Sequence, residues 1–313
     1  MIRADLAALE PPRAPAWARP GRSFREFSEA EALFFADAAL SALDSVAKSD
    51  PPYAGAWRRR LALKSAAAVA ANLLNRREDE SALRDAVALA KPGQELGPAG
   101  RVYAAFRVLA GPSDFFRPER LAAVAADLQS PLDPERAAEL AEALREACAR
   151  SRPAPLAAAA AAEAAVALRA DAEPLALFCA DAALAKNLNW PIPAPLLAGE
   201  CLRRSSEGRR VRPGEAGWAK LAALSYARAA LAALDLAQDL SRRAGRLMDV
   251  SPKLRAKGKG RALQALLDDD AIAAAAPIPT LSDRARRRLF ERLAALGAAR
   301  ELTGRKTFRL YGL

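Results

Sequence analysis

Alanine and leucine dominate the chain and recur in almost every segment of its 313 residues. Together with arginine and glutamate they are strong helix formers, because their side chains lose little freedom on a helix. Aromatic residues, which favour sheets, make up only 6% of the chain, and β-branched residues are also scarce. Apolar residues are still frequent enough to build a core. The sequence therefore predicts an all-α protein.

Proline and glycine breaks divide the chain into successive helices. Ser28 and Glu31 have the spacing of a capping box, in which each group bonds the other's backbone N–H at a helix start. We predict helices near residues 28–49, 55–75, 78–90, 98–110, 118–128, 134–150, 155–169, 174–188 and 218–248. The stretch 190–195 has three prolines and is predicted to be an extended connector. This pattern predicts a Pro/Arg-rich flexible arm over 1–23, a helical domain over 24–250 and a separate domain over 251–313.

The positive charge is concentrated in the last fifth of the chain. The whole chain carries a formal charge of +11, and residues 251–313 hold 14 Lys and Arg against 6 Asp and Glu. A local excess of positive charge favours contact with polyanions. The charge pattern therefore points to residues 251–313 as the part that meets a partner.

Most catalytic chemistry lacks its residues here. The chain has no histidine, and its cysteines (Cys148, Cys179 and Cys201) have neither metal-binding spacing nor histidine partners. Asp235 and Asp239 lie one helical turn apart and could bind a metal, but we interpret them as part of a surface face with Arg242 and Arg243. The acidic residues 268–270 are interpreted as charges balanced by basic neighbours. We expect a non-enzyme without cofactor or metal. Because no apolar stretch is long enough for a signal peptide or a membrane span, we expect a cytoplasmic location without membrane contact.

The C-terminal segment has the pattern of a winged helix-turn-helix. A helix is predicted over 260–276, and a second over 282–296, capped by Thr280 or Ser282. On the second helix, an apolar face carries Ala285, Leu289, Leu293 and Leu296, with Phe290 at its edge. A glycine-containing connector and the alternating residues 307–311 then predict a β-hairpin.

Exposed arginines on such a helix can contact base edges or phosphates, and a basic hairpin tip can contact the backbone or minor groove. We therefore predict a DNA-binding protein, most simply a regulator. The predicted DNA-contacting residues are Arg284, Arg287 and Arg288 on the helix, Arg305 and Lys306 on the hairpin, and Lys253, Arg255, Lys257 and Lys259 in the preceding basic stretch.

One feature argues against a complete helix-turn-helix. Only Pro277–Leu281 separate the two predicted helices, which leaves no room for a further short helix. The alternative is therefore a protein–protein interaction scaffold, in which the winged helix, or an apolar pocket beneath the 190–195 connector, docks a protein partner. The oligomeric state and any small ligand stay open.

Several stretches resemble a proteobacterial family known as domain of unknown function 1403. The matching stretches are residues 54–58, 79–85, 97–101, 190–193, 252–258, 267–270, 281–293 and 300–313. The resemblance extends over nearly the whole chain, and it implies no assigned activity.

A more distant resemblance is to Fic-domain proteins, which transfer AMP. The first four predicted helices are similar to the N-terminal layout of that fold, and Glu301–Arg305 is similar to a hairpin found in Fic proteins that end in a winged helix. The resemblance would place the Fic catalytic loop, His-Pro-Phe-x-x-Gly-Asn-Gly-Arg, near residues 168–181. That stretch has no histidine, glycine or asparagine. The resemblance therefore implies a catalytically dead Fic-like bundle.

Overall fold

The computed structural model describes residues 10–21, 26–91, 93–149, 152–203, 210–256, 258–305 and 307–313. Within these ranges twelve α-helices form most of the structure and three short strands form one sheet, so the all-α prediction is confirmed. The helices are α1 (Glu29–Ser49), α2 (Ala54–Leu73), α3 (Glu80–Ala88), α4 (Pro98–Leu109), α5 (Pro118–Asp127), α6 (Pro134–Ala149), α7 (Ala154–Leu168), α8 (Glu173–Asn187), α9 (Leu197–Cys201), α10 (Trp218–Val250), α11 (Lys259–Asp268) and α12 (Asp283–Ala295). The strands are β1 (Ile272–Ala273), β2 (Arg300–Glu301) and β3 (Leu310–Gly312).

The local helix signals in the sequence are confirmed. The Ser28 side chain accepts the Glu31 backbone N–H, and the Glu31 carboxylate accepts the Ser28 backbone N–H, which completes the capping box. Pro118 and Pro134 open α5 and α6, where a missing backbone N–H costs no helical hydrogen bond. Helices therefore begin and end within a few residues of their predicted bounds in this part of the chain.

The long helix α10 is the centre of the helical body, by which we mean α1 to α10. It packs along α1 and contacts α7 and α9. Two buried tryptophans fix its position: Trp57 on α2 donates to the Ala233 carbonyl at 2.9 Å, and Trp218 donates to the Ala159 carbonyl of α7 at 3.2 Å. Alanines fill the space between the helices and permit their close approach. None of the helices in the described ranges combines the length and apolarity needed to cross a membrane.

A buried carboxyl group joins three helices of the body. Asp181 on α8 accepts the backbone N–H groups of Leu196 and Leu197, at 2.9 and 3.2 Å, and the Tyr226 hydroxyl of α10, at 3.1 Å. Complete burial raises the pKa of Asp181 to about 7, while these three donors oppose the rise. Asp181 therefore anchors the first turn of α9 to the core.

The described part of the N-terminal arm lies against the body. Arg19 pairs with Asp235 of α10 at 2.9 Å, and Gln238 donates to the Pro12 carbonyl at 3.3 Å. Trp17 contacts Phe34 of α1, with ring centroids 5.8 Å apart. The arm was predicted to be flexible, but residues 10–21 make these contacts; residues 1–9 and 22–25 lie outside the described residues.

The C-terminal unit comprises α11, β1, α12, β2 and β3, in residues 258–305 and 307–313. The predicted helix over 260–276 was too long, because α11 ends at Asp268 and the backbone is extended at Asp269. Strand β1 follows and pairs antiparallel with β3, which also pairs antiparallel with β2, giving the sheet order β1-β3-β2. The hairpin prediction is confirmed in position, and the sheet gains a strand that the sequence did not indicate.

Strand β3 does not show the predicted alternation over 307–311. Its residues Leu310, Tyr311 and Gly312 are all buried, and residues 307–309 precede the strand. The physical reason is that β3 is the central strand: Tyr311 stacks on Phe290 of α12, while Gly312 lies against the Asp270 carbonyl. A strand covered on both faces has no solvent side to carry polar residues.

Candidate nucleic-acid interface

The C-terminal unit is attached to the helical body by two aspartates. Asp270 is buried and pairs with two arginines: Arg60 of α2 at 2.6 Å and Arg84 of α3 at 2.5 Å. Asp269 forms a two-pronged pair with Arg107 of α4, with both N–O distances at 2.7 Å. We call these five residues the aspartate clamp. Burial works against the charge of Asp270, but the two guanidinium groups outweigh it and lower its pKa.

Two glycines permit the close approach that the clamp requires. A side-chain carbon at Gly55 of α2 would lie 2.6 Å from the Asp268 backbone. At Gly312 the same atom would lie 2.4 Å from the Asp270 carbonyl oxygen. Both distances are shorter than van der Waals contact. The first shows that the unit lies directly on α2 of the body, and the second shows that β3 packs against the Asp270 backbone within the unit. The interpretation of residues 268–270 as balanced charges is confirmed for Asp269 and Asp270, although their partners come from α2, α3 and α4 and not from neighbours in the sequence.

The inner face of α12 packs as the sequence predicted. Leu289, Phe290 and Leu293 are buried, and Ala285 and Leu296 are partly buried. The Ser282 side chain accepts the Ala285 backbone N–H at 3.3 Å, which confirms Ser282 as the N-cap. The helix is thus fixed in rotation about its axis, and this determines which side chains point outwards.

Arg286 has a structural role that the sequence analysis missed. Its side chain is buried and donates to the Leu281 and Ala275 carbonyls at 3.2 and 3.0 Å, and it pairs with Asp283 at 2.6 Å. These carbonyls belong to 274–281, where the structure has turns and no helix. Arg286 therefore holds this turn segment in place. Its position, three residues before Leu289 on the apolar face, was the signal available in the sequence.

The outer face of α12 carries the predicted contact residues. Arg284, Arg287 and Arg288 are all exposed, and none forms an ion pair with a residue in the described part of the chain. Arg292 is exposed on the same face, one turn after Arg288, and the sequence analysis overlooked it although its spacing shows it. Glu291 shares the face and pairs weakly with Arg309, at 3.5 Å.

The remaining predicted residues divide into three groups. Lys253 and Arg255 are exposed, as expected of contact residues. Lys259 instead donates to the Ser251 and Leu254 carbonyls, both at 2.8 Å, so its ammonium group stabilises the turn before α11. Arg305 pairs with Asp85 of α3 at 2.8 Å, although its side chain is still 56% exposed, so its charge is already balanced within the protein. Lys257 and Lys306 lie outside the described residues.

The hairpin loop is shaped by its own side chains. Glu301 accepts the backbone N–H groups of Thr303 at 2.8 Å and Gly304 at 2.9 Å, and Gly304 adopts a φ of +63° that favours glycine. Beyond this turn Phe308 is 71% exposed, which is high for an aromatic side chain. The loop therefore presents a fixed turn followed by an exposed ring.

Other groups considered for chemistry have structural surroundings. Cys179 and Cys201 are buried, and burial raises the pKa of the Cys179 thiol to about 12. Asp239 pairs with Arg243 at 2.7 Å and Asp235 with Arg19, so both carboxylates are balanced by arginines. Among the described residues no three His, Cys, Asp or Glu side chains come together as metal ligands would.

Fold and site together define an all-helical protein whose small C-terminal α/β unit is clamped to a helical body and presents an arginine-rich helix. The chain belongs to the family described as protein of unknown function (DUF1403), whose sequence profile matches residues 4–313. No curated protein and no solved structure matches the chain.

Proposed function

We propose that the protein binds duplex DNA through the outer face of α12 and acts as a regulator. The observation that carries the proposal is a contrast within the C-terminal unit. Arg286, Arg305 and Arg309 each pair with a carboxylate, whereas the arginines of the α12 outer face are exposed and unpaired within the described residues. Exposed guanidinium groups without protein partners can pair with phosphates or with guanine edges.

The topology of the C-terminal unit supports this proposal. The order α11, β1, α12, β2, β3 with the sheet order β1-β3-β2 is similar to a winged helix in which α12 takes the place of the recognition helix. The turn segment 274–281, held by Arg286, stands where a complete helix-turn-helix would have its additional helix. The outer face of α12 can therefore be exposed to DNA although the chain has no room for that additional helix.

The geometry suggests how the contacts would be divided. Arg284 lies in the first turn of α12, and residues near the start of a recognition helix are those that reach base edges. Arg288 and Arg292 follow at one-turn intervals along the same face and suit a phosphate strand beside the groove. Arg305 is committed to Asp85, so the hairpin contributes less than the sequence predicted.

The test is a fluorescence-anisotropy titration of the full chain with random duplex DNA at several salt concentrations. The principal variant replaces Arg284, Arg287 and Arg288 with alanine. A matched control replaces three exposed arginines of the helical body, Arg117, Arg136 and Arg203, and so removes the same charge from other surfaces.

We expect wild-type binding on the order of micromolar at low salt, with a strong salt dependence. The α12 variant should bind far more weakly, and its salt slope should fall by about 0.9 for each phosphate that its side chains no longer neutralise. The control variant should keep most of the affinity and the slope. Equal losses in the two variants, or no binding by the wild type at low salt, would contradict the proposal.

A second candidate function is docking of a protein partner at the helical body. A cavity of about 270 Å³ lies at the end of the 190–195 connector, between α2, α9 and α10, and is lined by apolar Leu61, Pro195 and Leu196 with Lys64 and Glu200. Ala232→Trp would fill this cavity from its exposed rim. If docking occurs there, a partner recovered with the wild-type chain should be lost with A232W and kept with the α12 triple variant.

A further inference from the structure

A second arginine cluster lies on the helical body, on the side where the aspartate clamp is formed. It surrounds an open cavity of about 390 Å³, a volume within the range of small-molecule sites. Residues from α2, α3, α4 and α5 and from the loop after α4 line it: Arg59, Val87, Ala104, Arg107, Val108, Gly111, Pro112, Ser113 and Arg120. The polar part of this lining is almost entirely cationic.

Arg59 and Arg120 form no ion pair among the described residues, whereas Arg107 pairs with Asp269. The Arg59 side chain is half-buried and donates to the main-chain carbonyl of Arg107, and no carboxylate of the described residues lies within ion-pair distance of it. Burial lowers the pKa of Arg59 and the positive charge of Arg107 lowers it further, while the negative charge of Asp269 opposes this shift without forming an ion pair with Arg59. A guanidinium group held beside another without its own counter-ion favours the binding of an anion.

The other two arginines of the cavity, Arg107 and Arg120, add to its positive charge. Arg120 donates through Nε to the Ser113 hydroxyl at 3.0 Å, which leaves its terminal nitrogens available at the cavity rim. Arg107 is neutralised by Asp269 of the clamp. Three guanidinium groups therefore face a single carboxylate, and the site has a surplus of two positive charges.

We propose that this cavity binds a small organic phosphate. A phosphate monoester carries about two negative charges at neutral pH, which matches the surplus of two positive charges in the cavity. A carboxylate carries only one negative charge and would leave one of the positive charges uncompensated. Guanidinium groups form paired hydrogen bonds to phosphate oxygens, and Arg59 and Arg120 have donors for this purpose. The walls at Val87, Val108 and Pro112 are apolar and suit the carbon part of the ligand.

The site also touches the clamp. Arg107 lines the cavity and at the same time pairs with Asp269, so a bound phosphate competes with Asp269 for the same guanidinium group. Occupancy of the site is thereby linked to the attachment of the C-terminal unit. This inference does not depend on DNA binding by α12, because none of its residues lies on that helix.

The test is isothermal titration calorimetry of the full chain with phenyl phosphate, which combines the phosphate with an apolar ring. We expect one site per chain in the wild type. Arg59→Gln and Arg120→Gln should each weaken binding about tenfold, the loss typical of a charge-assisted hydrogen bond. The control Arg117→Gln removes an exposed arginine that pairs with Asp114 and does not line the cavity, and it should leave the affinity unchanged.

Asp269→Asn should raise the affinity for phenyl phosphate, whereas the two arginine substitutions should lower it. It frees Arg107 from its carboxylate, so phenyl phosphate should bind severalfold more tightly than to the wild type. Circular dichroism of each variant establishes that the helical body is folded. The proposal is overturned by no saturable binding at millimolar phenyl phosphate, or by equal affinities of wild type, R59Q and R120Q.

Discussion

Two helices of this protein contain the same tripeptide, Arg-Arg-Arg, at residues 58–60 and 286–288, with different outcomes. On α2 all three arginine side chains are buried or partly buried. Arg58 is buried and pairs with Asp50 at 2.7 Å, Arg59 is half-buried at the cavity, and Arg60 pairs with Asp270. On α12 only Arg286 turns inwards, and the other two are exposed.

The difference lies in what surrounds each helix. Around α2 the arginines find partners within the fold: Arg58 contacts Asp50 and the Ala47 carbonyl at the end of α1, and Arg60 contacts Asp270, which is distant in the sequence. The inner side of α12 offers carbonyls to Arg286 alone, and its outer side has no packed neighbour in the described structure. On α2 the same run of charge is thus mostly paired with carboxylates, whereas two of its three arginines on α12 are exposed and form no ion pair among the described residues.

The largest loss of stability is expected when the ion pair between α2 and Asp270 is removed. Asp270→Asn leaves Arg60 and Arg84 partly buried without a carboxylate, and removal of one partner of a buried ion pair costs about 3–5 kcal/mol. Urea unfolding followed by circular dichroism measures the loss. Asp133→Asn, which breaks the exposed pair with Arg136, should cost less than about 1 kcal/mol. Similar losses in the two variants would show that burial of the clamp does not matter.

The Asp270 carboxylate should also make the free energy of unfolding depend on pH. Because the pKa of Asp270 is lower in the folded chain than its unfolded value of about 3.9, its contribution to stability is complete above that pH. The contribution is lost as the pH falls through the folded pKa. The difference in unfolding free energy between wild type and D270N should therefore be constant from about pH 5 upwards and shrink below about pH 4. A difference that grows in acid would refute the ion pairs.

A smaller effect is expected from the buried arginine of α12. Arg286→Met keeps an unbranched apolar stem but removes the guanidinium group, which leaves the Leu281 and Ala275 carbonyls without their donor, and we expect a loss of about 2 kcal/mol. Arg288→Met, two residues further on the exposed face, should change stability by less than about 0.5 kcal/mol. Hydrogen exchange should also quicken over 274–281 in R286M only. If R286M and R288M show the same stability and the same hydrogen exchange, the buried Arg286 has no structural role that the exposed Arg288 lacks.

The smallest effect concerns an acidic side chain on the outer face of α12. Glu291→Gln removes a negative charge from among the exposed arginines, so duplex DNA should bind roughly threefold more tightly at low salt. The gain should vanish at high salt, because exposed charges are screened. Glu139→Gln on α6 is the control and should not alter binding. Weaker binding by E291Q would show that Glu291 contacts a base or holds Arg309 in a binding position.

Much of the helical architecture could be predicted from local signals. Ser28 and Glu31 identify the start of α1, prolines open α5 and α6, and the apolar spacing of Leu289 and Leu293 identifies the inner face of α12. These signals act within a few residues along the chain, so no tertiary information is needed. The same periodicity predicted that Arg284, Arg287 and Arg288 share an exposed face.

The errors arose where distant segments meet. The end of α11 at Asp268 was missed because Asp269 and Asp270 leave the helix to reach arginines of α2, α3 and α4. The alternation expected over 307–311 failed because a two-residue strand that no pattern indicated, β1, makes β3 central. The ion pair of Arg305 was missed because its partner, Asp85, lies 220 positions earlier in the sequence.

The sequence by itself therefore determined the helical class, the bounds of most helices of the body and the amphipathic rotation of α12, because these depend on backbone propensity and on spacing within a few turns. Only the tertiary structure decided which charges are neutralised. Ion pairs form between residues brought together by packing, and neither the clamp nor the arginine-lined cavity on the body leaves a local pattern. Which arginines remain unpaired among the described residues is set by which carboxylates the fold brings within reach of the others.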